Sequence, residues 1–244
     1  MYTKGMALFE RGLQELNIDL DDTAKDRFIK FYEMLVEKNK VMNLTAITEF
    51  EDVIVKHFLD SLSIVKVLPS ARLDDNIAII DVGTGAGFPG IPLKIAFPNI
   101  NITLLDSLNK RIGFLREVCE TLSLDNVEFI HGRSEDYGRN PKYRESYDMC
   151  VSRAVANLAT LSEFCVPFVK VGGLFISYKA GDCGEEVQES AKAVDRMGGK
   201  IEKQLSYMVP TSDLNRVLLS IRKEKATPKA YPRKAGTPAK EPIK

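Results

Sequence analysis

The feature that most constrains this chain is a glycine-rich loop directly behind a short apolar strand. Residues 77–82 read Ile77-Ala78-Ile79-Ile80-Asp81-Val82, a β-branched run of strand length. The chain continues Gly83-Thr84-Gly85-Ala86-Gly87-Phe88-Pro89-Gly90 and then enters an apolar helical stretch. Glycine tolerates positive φ and lets a ligand lie against the backbone, so a strand, a glycine loop and a helix in that order open a ligand-binding βαβ unit. Four more strand-like runs follow, at 101–106, 126–130, 147–151 and 174–178, with helical stretches such as 111–122 and 158–169 between them. Strands alternating with helices predict a mostly parallel sheet covered on both faces. Right-handed crossovers restrict it to the doubly wound type. After Gly198-Gly199, residues 200–209 and 217–222 read as two further strands. They are too close together for another helical crossover, so an antiparallel terminal pair is expected.

Two glycine patterns overlap in the loop. Gly85, Gly87 and Gly90 satisfy the G-x-G-x-x-G of nicotinamide-dependent oxidoreductases. Gly83, Gly85 and Gly87, preceded by Asp81, satisfy the acid-led G-x-G-x-G of class I S-adenosylmethionine (SAM) methyltransferases. The second fits better, because Gly83 follows the strand at once and the antiparallel terminal pair belongs to methyltransferases. Asp106 ends the second strand, where an acid can accept hydrogen bonds from ribose hydroxyls. The third strand leads into Gly132-Arg133-Ser134-Glu135, where such enzymes seat adenine.

Residues 1–72 read as a helical extension packed on the core. Phe9, Leu13 and Leu16 recur at helical spacing, and Asp22 or Thr23 is a candidate N-cap for a helix carrying Phe28, Phe31, Tyr32, Leu35 and Val36 on one face. A break at 39–48 precedes a further helix over 49–67, stopped by Pro69. The methyltransferase domain is expected over 73–223 and a basic, proline-rich tail over 224–244. From Arg222 to Lys244, eight basic residues stand against Glu224 and Glu241, a local charge of +6 in a chain of zero net charge. Such asymmetry points to a polyanionic partner, or to a solubilising tail. With four prolines after Thr227, the tail is expected to be extended and mobile unless bound. No apolar run approaches membrane-spanning length. The four cysteines lack C-x-x-C spacing and the histidines number two, so no metal site is expected and the thiols suit a reducing cytoplasm.

The chain resembles the RsmG family (glucose-inhibited division protein B), the 16S rRNA guanine-N7 methyltransferases, over nearly its whole length. The matching stretches are Asn43-Leu44-Thr45-Ala46-Ile47, His57-Phe58-Leu59-Asp60-Ser61, the loop from Asp81 to Pro92, Leu105-Asp106-Ser107, Ser152-Arg153-Ala154, and the tail from Thr227 to Pro238, which departs from the pattern at Ala230. The resemblance implies SAM as cofactor, contacts to it at Gly83, Phe88, Asp106, Ser107, Leu108, Ser134, Glu135 and Arg153, and 16S rRNA or the small ribosomal subunit as partner. Gly85 and Gly87 join the cofactor set as loop glycines. Phe88 could equally cap the helix from the core, and Arg153 could serve a surface salt bridge. His57 and Asp60, three apart on a helix, are candidates for the cleft wall or for a polar brace.

Guanine N7 carries an in-plane lone pair and no proton, so its methylation needs alignment rather than a general base. No catalytic residue can therefore be assigned, and Arg153 is the candidate for positioning substrate. Exocyclic amine methylation usually comes with an Asn/Asp-Pro-Pro-aromatic motif, where this chain has Ser152-Arg153-Ala154-Val155. Pyrimidine C5 chemistry needs a Pro-Cys nucleophile, and no cysteine here follows a proline. Arg222, Lys229, Arg233 and Lys234 are expected to contact RNA phosphates. A monomer is expected. The other readings are the nicotinamide enzyme and a non-catalytic RNA-binding ribosome-assembly factor.

Overall fold

Seven strands form one sheet. They are β1 (Ala78–Val82), β2 (Asn101–Asp106), β3 (Val127–His131), β4 (Tyr147–Arg153), β5 (Val169–Ala180), β6 (Gly199–Met208) and β7 (Asn215–Lys223), in the order β3-β2-β1-β4-β5-β7-β6. The computed structural model describes every residue except Met1, Pro69, Asp74, Ala154 and Val155. The expected helix stop at Pro69 and the Ala154-Val155 end of the stretch after β4 lie outside the described residues. β1 to β5 pair in parallel, whereas β7 runs antiparallel between β5 and β6. Strand order reverses between β1 and β4, and such a switch point opens a crevice beyond the carboxyl ends of the strands.

The helices are α1 (Thr3–Leu16), α2 (Asp22–Met42), α3 (Phe50–Val53), α4 (Asp60–Leu62), α5 (Ser70–Leu73), α6 (Gly90–Ala96), α7 (Asn109–Thr121), α8 (Ser134–Tyr137), α9 (Leu158–Cys165), α10 (Gly184–Arg196) and α11 (Thr237–Lys240). The α2 N-cap is Asp21, one residue before the expected position, whose carboxylate accepts from Ala24 N. α1 and α2 pack their aromatic face on the sheet unit. Phe9, Phe28, Phe31, Phe58 and Phe88 form a ring-to-ring chain inside one continuous hydrophobic cluster that reaches Leu104 and Leu115.

The helix expected over 49–67 is broken instead. Between α3 and α4 the chain takes a π turn over Ile54–Leu59, and after α4 it tightens into a 3-10 turn over Ser63–Lys66. The π turn buries both Phe58 and Leu59 in the core. Its Lys56 carbonyl accepts from Arg153 Nη1 at 3.2 Å. Wide turns of this kind recur at functional sites.

The C-terminal segment is a docked strap, not the extended, mobile tail expected from its composition. Thr227, Pro232, Pro238 and Ile243 are buried. Arg144 donates to the carbonyls of Thr227, Pro228 and Tyr231, and Arg139 to that of Pro232. Arg233 grips Glu163 on α9. Proline-rich backbone lacks donors but keeps acceptors, and arginines of the main domain satisfy them.

Candidate functional site

The glycine loop is shaped by Asp81, which is fully buried at the end of β1. Its Oδ2 accepts from Thr84 Oγ1 at 2.7 Å and from Gly90 N at 2.9 Å, tying both ends of the loop to the strand. Oδ1 is buried without a partner among the described residues. Burial pushes the carboxyl up to about 7, against the pull of those two hydrogen bonds and of Arg153. Gly83, Gly85 and Gly87 all have positive φ. A Cβ on Gly87 would lie 2.6 Å from Ile91 and 2.8 Å from Leu115, whereas one on Gly85 would meet only the Gly83 carbonyl oxygen, at an unstrained 3.9 Å. Gly85 therefore leaves room for a ligand, and Gly87 permits close helix packing. Gly90, the third glycine of the nicotinamide pattern, faces Asp81 and Leu104 rather than a ligand.

Beyond the ends of β1, β2 and β3 lies a cavity of about 240 Å³. Gly83, Asp106, Ser107, Ser134 and Glu135 all line it, as the sequence places them. Asp106 accepts from Gly85 N at 3.0 Å, Leu108 N at 2.9 Å and Arg111 Nη1 at 3.2 Å, so one carboxylate joins the loop to the start of α7. Glu135 accepts from Ser134 Oγ on one oxygen and from Gly236 N at 2.7 Å on the other. Val82, Leu105 and Phe164 supply apolar walls, and Gly236 and Ala239 of the strap close the outer side. Glycine backbone, an acid at the end of β2, another in α8 beyond β3, and apolar faces between them suit an adenosyl ligand. Arg111, Phe164, Gly236 and Ala239 escaped the sequence reading. Arg111 could have been found five residues after Asp106; the other three reach the cavity only through tertiary packing.

Gly85, Gly87, Phe88, Leu108 and Arg153 stand outside that lining. Phe88 is 5% exposed, stacks on His57 with ring centres 4.4 Å apart, and carries the Arg153 guanidinium 4.9 Å from its ring centre. It is thus both a core residue and the floor under an arginine. Arg153 forms no surface salt bridge: it pairs at 3.1 Å with Asp60, whose side chain is 4% exposed. Arg153 Nη2 lies 3.1 Å from His57 Nδ1, and His57 Nε2 is 3.0 Å from Thr45 Oγ1. Burial, then the charge of Arg153, pulls His57 down to about 3, so the ring is neutral near pH 7. Asp60 also accepts from Tyr207 Oη at 3.1 Å and faces Arg216 Nε at 3.7 Å. His57 and Asp60 therefore brace the π turn against the sheet and also line a second cavity, of about 260 Å³, at the ends of β4 and β5.

The expected phosphate contacts are split. Lys229 and Lys234 are exposed. Arg222 lies on β7 beside Leu174 in the first half of β5, toward the opposite end of the strands from the cavity beyond β1 to β3, bonded to Glu202 and to the Gly172 carbonyl. Arg233 is committed to Glu163 through both its backbone and its guanidinium. All four cysteines are free and buried. No group of described residues could hold a metal, and no helix among them is long and apolar enough to cross a membrane.

A glycine-cornered loop after β1, an acid ending β2, another in α8 just past β3, and an antiparallel β7 in a seven-stranded sheet define a class I SAM-dependent methyltransferase. The chain belongs to the GidB family, described as rRNA small subunit methyltransferase G, whose model matches residues 24–211. It is 53% identical to ribosomal RNA small subunit methyltransferase G of Alkaliphilus oremlandii over 237 residues, covering 97% of this chain and 98% of that one. It is 50% identical to the protein of the same name from Lachnoclostridium phytofermentans over 235 residues, 96% of each chain. The fold also matches TrmN from Thermus thermophilus with a TM-score of 0.52 at 13% identity, over 70% of this chain and 53% of that one.

Proposed function

We propose that the protein transfers a methyl group from SAM to N7 of a guanine in 16S rRNA of the small ribosomal subunit. The observation that carries this is the pairing of an adenosyl-shaped cavity with a neighbouring cation-lined one whose bases are both occupied. Asp60 is ion-paired and His57 is held neutral. A site built this way suits a nucleophile that arrives with its lone pair free, and N7 is one. SAM, when bound, supplies an electrophilic methyl on a sulfonium. In this reading Gly83, Gly85, Asp106, Ser107, Leu108, Ser134 and Glu135 hold the cofactor through backbone and carboxylate. Gly87 and Phe88 shape the loop, and Arg153 stands where cofactor and acceptor meet. Residues 1–72 brace the acceptor side, 73–223 carry the cofactor, and 224–244 close the cavity while Lys229 and Lys234 face RNA phosphates. The enzyme acts as a monomer in the cytoplasm, which suits its reduced thiols.

N7 lies on the major-groove edge, too deep to reach in A-form RNA, so the target guanine sits in a loop or is splayed out. The test is methyl transfer from labelled SAM to small subunits lacking the modification, followed by nucleoside mass spectrometry. Labelled 7-methylguanosine at one position is expected. Label in another nucleoside, or in no RNA or subunit preparation despite bound cofactor, overturns the substrate.

A further inference from the structure

We propose that the second cavity receives the acceptor guanine, and that Arg216 reads the base through a single hydrogen bond to O6. This inference rests on the guanine-N7 reading above. The cavity lies at the ends of β4 and β5, where Arg153, Tyr178 and Ala180 stand, and Arg216 enters it from β7, paired across from Ala180. The cofactor cavity lies at the ends of β1 to β3. Arg153, stacked on the loop residue Phe88 and lining the second cavity, marks the boundary at which a methyl group must cross.

The charge of this cavity is set by one buried acid between two guanidiniums. Asp60 faces Arg153 on Oδ2 and Arg216 on Oδ1, which leaves one positive charge uncompensated. The neighbouring lysines are already spent, Lys179 on Glu186 and Lys56 on Asp52. At both terminal nitrogens Arg153 is engaged, Nη1 by Asp60 and the Lys56 carbonyl and Nη2 by His57. Arg216 is not: Nη1 donates to the Asn215 carbonyl, Nε faces Asp60, and Nη2 has no partner among the described residues. Arg216 is therefore the donor left over for a ligand, and Asp60 is its positioning residue.

The donor fits guanine and rejects adenine. Both purines carry N7, but position 6 is a carbonyl acceptor in guanine and an amino donor in adenine. A fixed guanidinium N–H can pair only with the former. One bond to O6, rather than the bidentate grip on O6 and N7 common in DNA recognition, leaves the N7 lone pair open to the methyl group.

The experiment compares small-subunit RNA carrying guanosine, inosine or 2-aminopurine at the methylated position, with the wild type, Arg216→Gln and Arg216→Lys. Inosine keeps O6, 2-aminopurine lacks it, and both keep N7. The wild type is expected to methylate inosine RNA nearly as well as guanosine RNA, and 2-aminopurine RNA at least about 10-fold more slowly. In Arg216→Gln, kcat/KM for guanosine RNA should fall roughly 10- to 100-fold. Its rate on 2-aminopurine RNA should stay put, so the preference collapses. Arg216→Lys should recover part of that preference, and labelled SAM should bind all three proteins equally. An equal loss on guanosine and 2-aminopurine RNA means that Arg216 meets a phosphate or only holds the fold, and the proposal falls. It falls equally, whatever the variants do, if the wild type does not distinguish 2-aminopurine from guanosine. If the wild type transfers methyl to no small-subunit RNA, the function proposed above fails first and this inference fails with it.

Discussion

Replacing Arg233 with methionine tests whether the strap is part of the cofactor site. Its guanidinium donates to Glu163 at 3.0, 3.1 and 2.8 Å, and its backbone N–H adds a fourth bond. The Glu163 side chain is 1% exposed and that of Arg233 26%. Removing one partner of such a pair strands a buried carboxylate, at a cost of about 3 kcal/mol, the low end of the usual range because Arg233 is partly wet. That is roughly a 100-fold shift in the balance between docked and undocked strap. Gly236 and Ala239 then leave the cavity wall, and Glu135 loses its bond to Gly236 N. Apparent affinity scales with the fraction of closed molecules, so the Kd for SAM in Arg233→Met should rise at least about tenfold by calorimetric titration. Protease cleavage beside Lys225 and Lys229 should accelerate in parallel. Pairing the change with Glu163→Leu removes the stranded charge and should return affinity to within about threefold of wild type. Wild-type affinity in Arg233→Met, or a double variant as weak as the single, would refute the reasoning.

Titration at the site gives a second prediction. His57 is held at about 3 against 6.5 unfolded, so its contribution to stability is lost as pH falls from 6.5 toward 3; Asp81, raised from 3.8 to about 7, gains stability as pH falls through that window. The two slopes oppose each other. In urea unfolding, His57→Asn should therefore gain on the wild type by about 1.4 kcal/mol for each unit lowered between pH 6.5 and 4; parallel curves would refute it. Gly87→Ala meets Ile91 and Leu115 as well as a positive φ, and should lose about 2–4 kcal/mol of stability. Gly85→Ala has only its φ to overcome and should lose about 1 kcal/mol, yet weaken SAM binding more; the reverse order in denaturant melts and titrations would overturn the two roles. Asp106→Asn gives up the charged acceptor shared by Gly85 N, Leu108 N and Arg111, and should raise the Kd for SAM roughly 10- to 100-fold. An unchanged Kd would remove Asp106 from the site.

The parallel strands and much of the lining of the cavity beyond them were legible because their signals are local. β1 and β2 are apolar runs of strand length, Gly83 and Asp106 mark their ends, and Ser134-Glu135 open α8 just past β3. The antiparallel β7 was legible too, from the short connection after Met208. The π turn was not, because the pattern over 49–67 suits an ordinary helix. Only the pull of Arg153 and Asp60 across the sheet end, distant in sequence, favours the wider turn. The strap was misread for the same reason. Its composition is that of a mobile tail, but Arg139, Arg144 and Glu163, which dock it, sit in segments that carry no mark of the partnership. Arg216 lay one residue before the strand read over 217–222, where the hydrophobic pattern had not yet begun, so it was passed over.

The strap has a consequence for the life of the chain on the ribosome. Synthesis runs from the N-terminus, and domains fold as they emerge. The sheet is complete at Lys223, but one wall of the cavity beyond β1 to β3 is made by Gly236 and Ala239, which are synthesised after it. A nascent molecule can therefore hold all its hydrophobic core except the strap's own Ile243 and Tyr231 and still be unable to enclose its cofactor. Competence arrives only once the strap has emerged and docked. A chain broken between Lys223 and Gly236 is expected to keep its sheet and lose the wall that encloses the ligand.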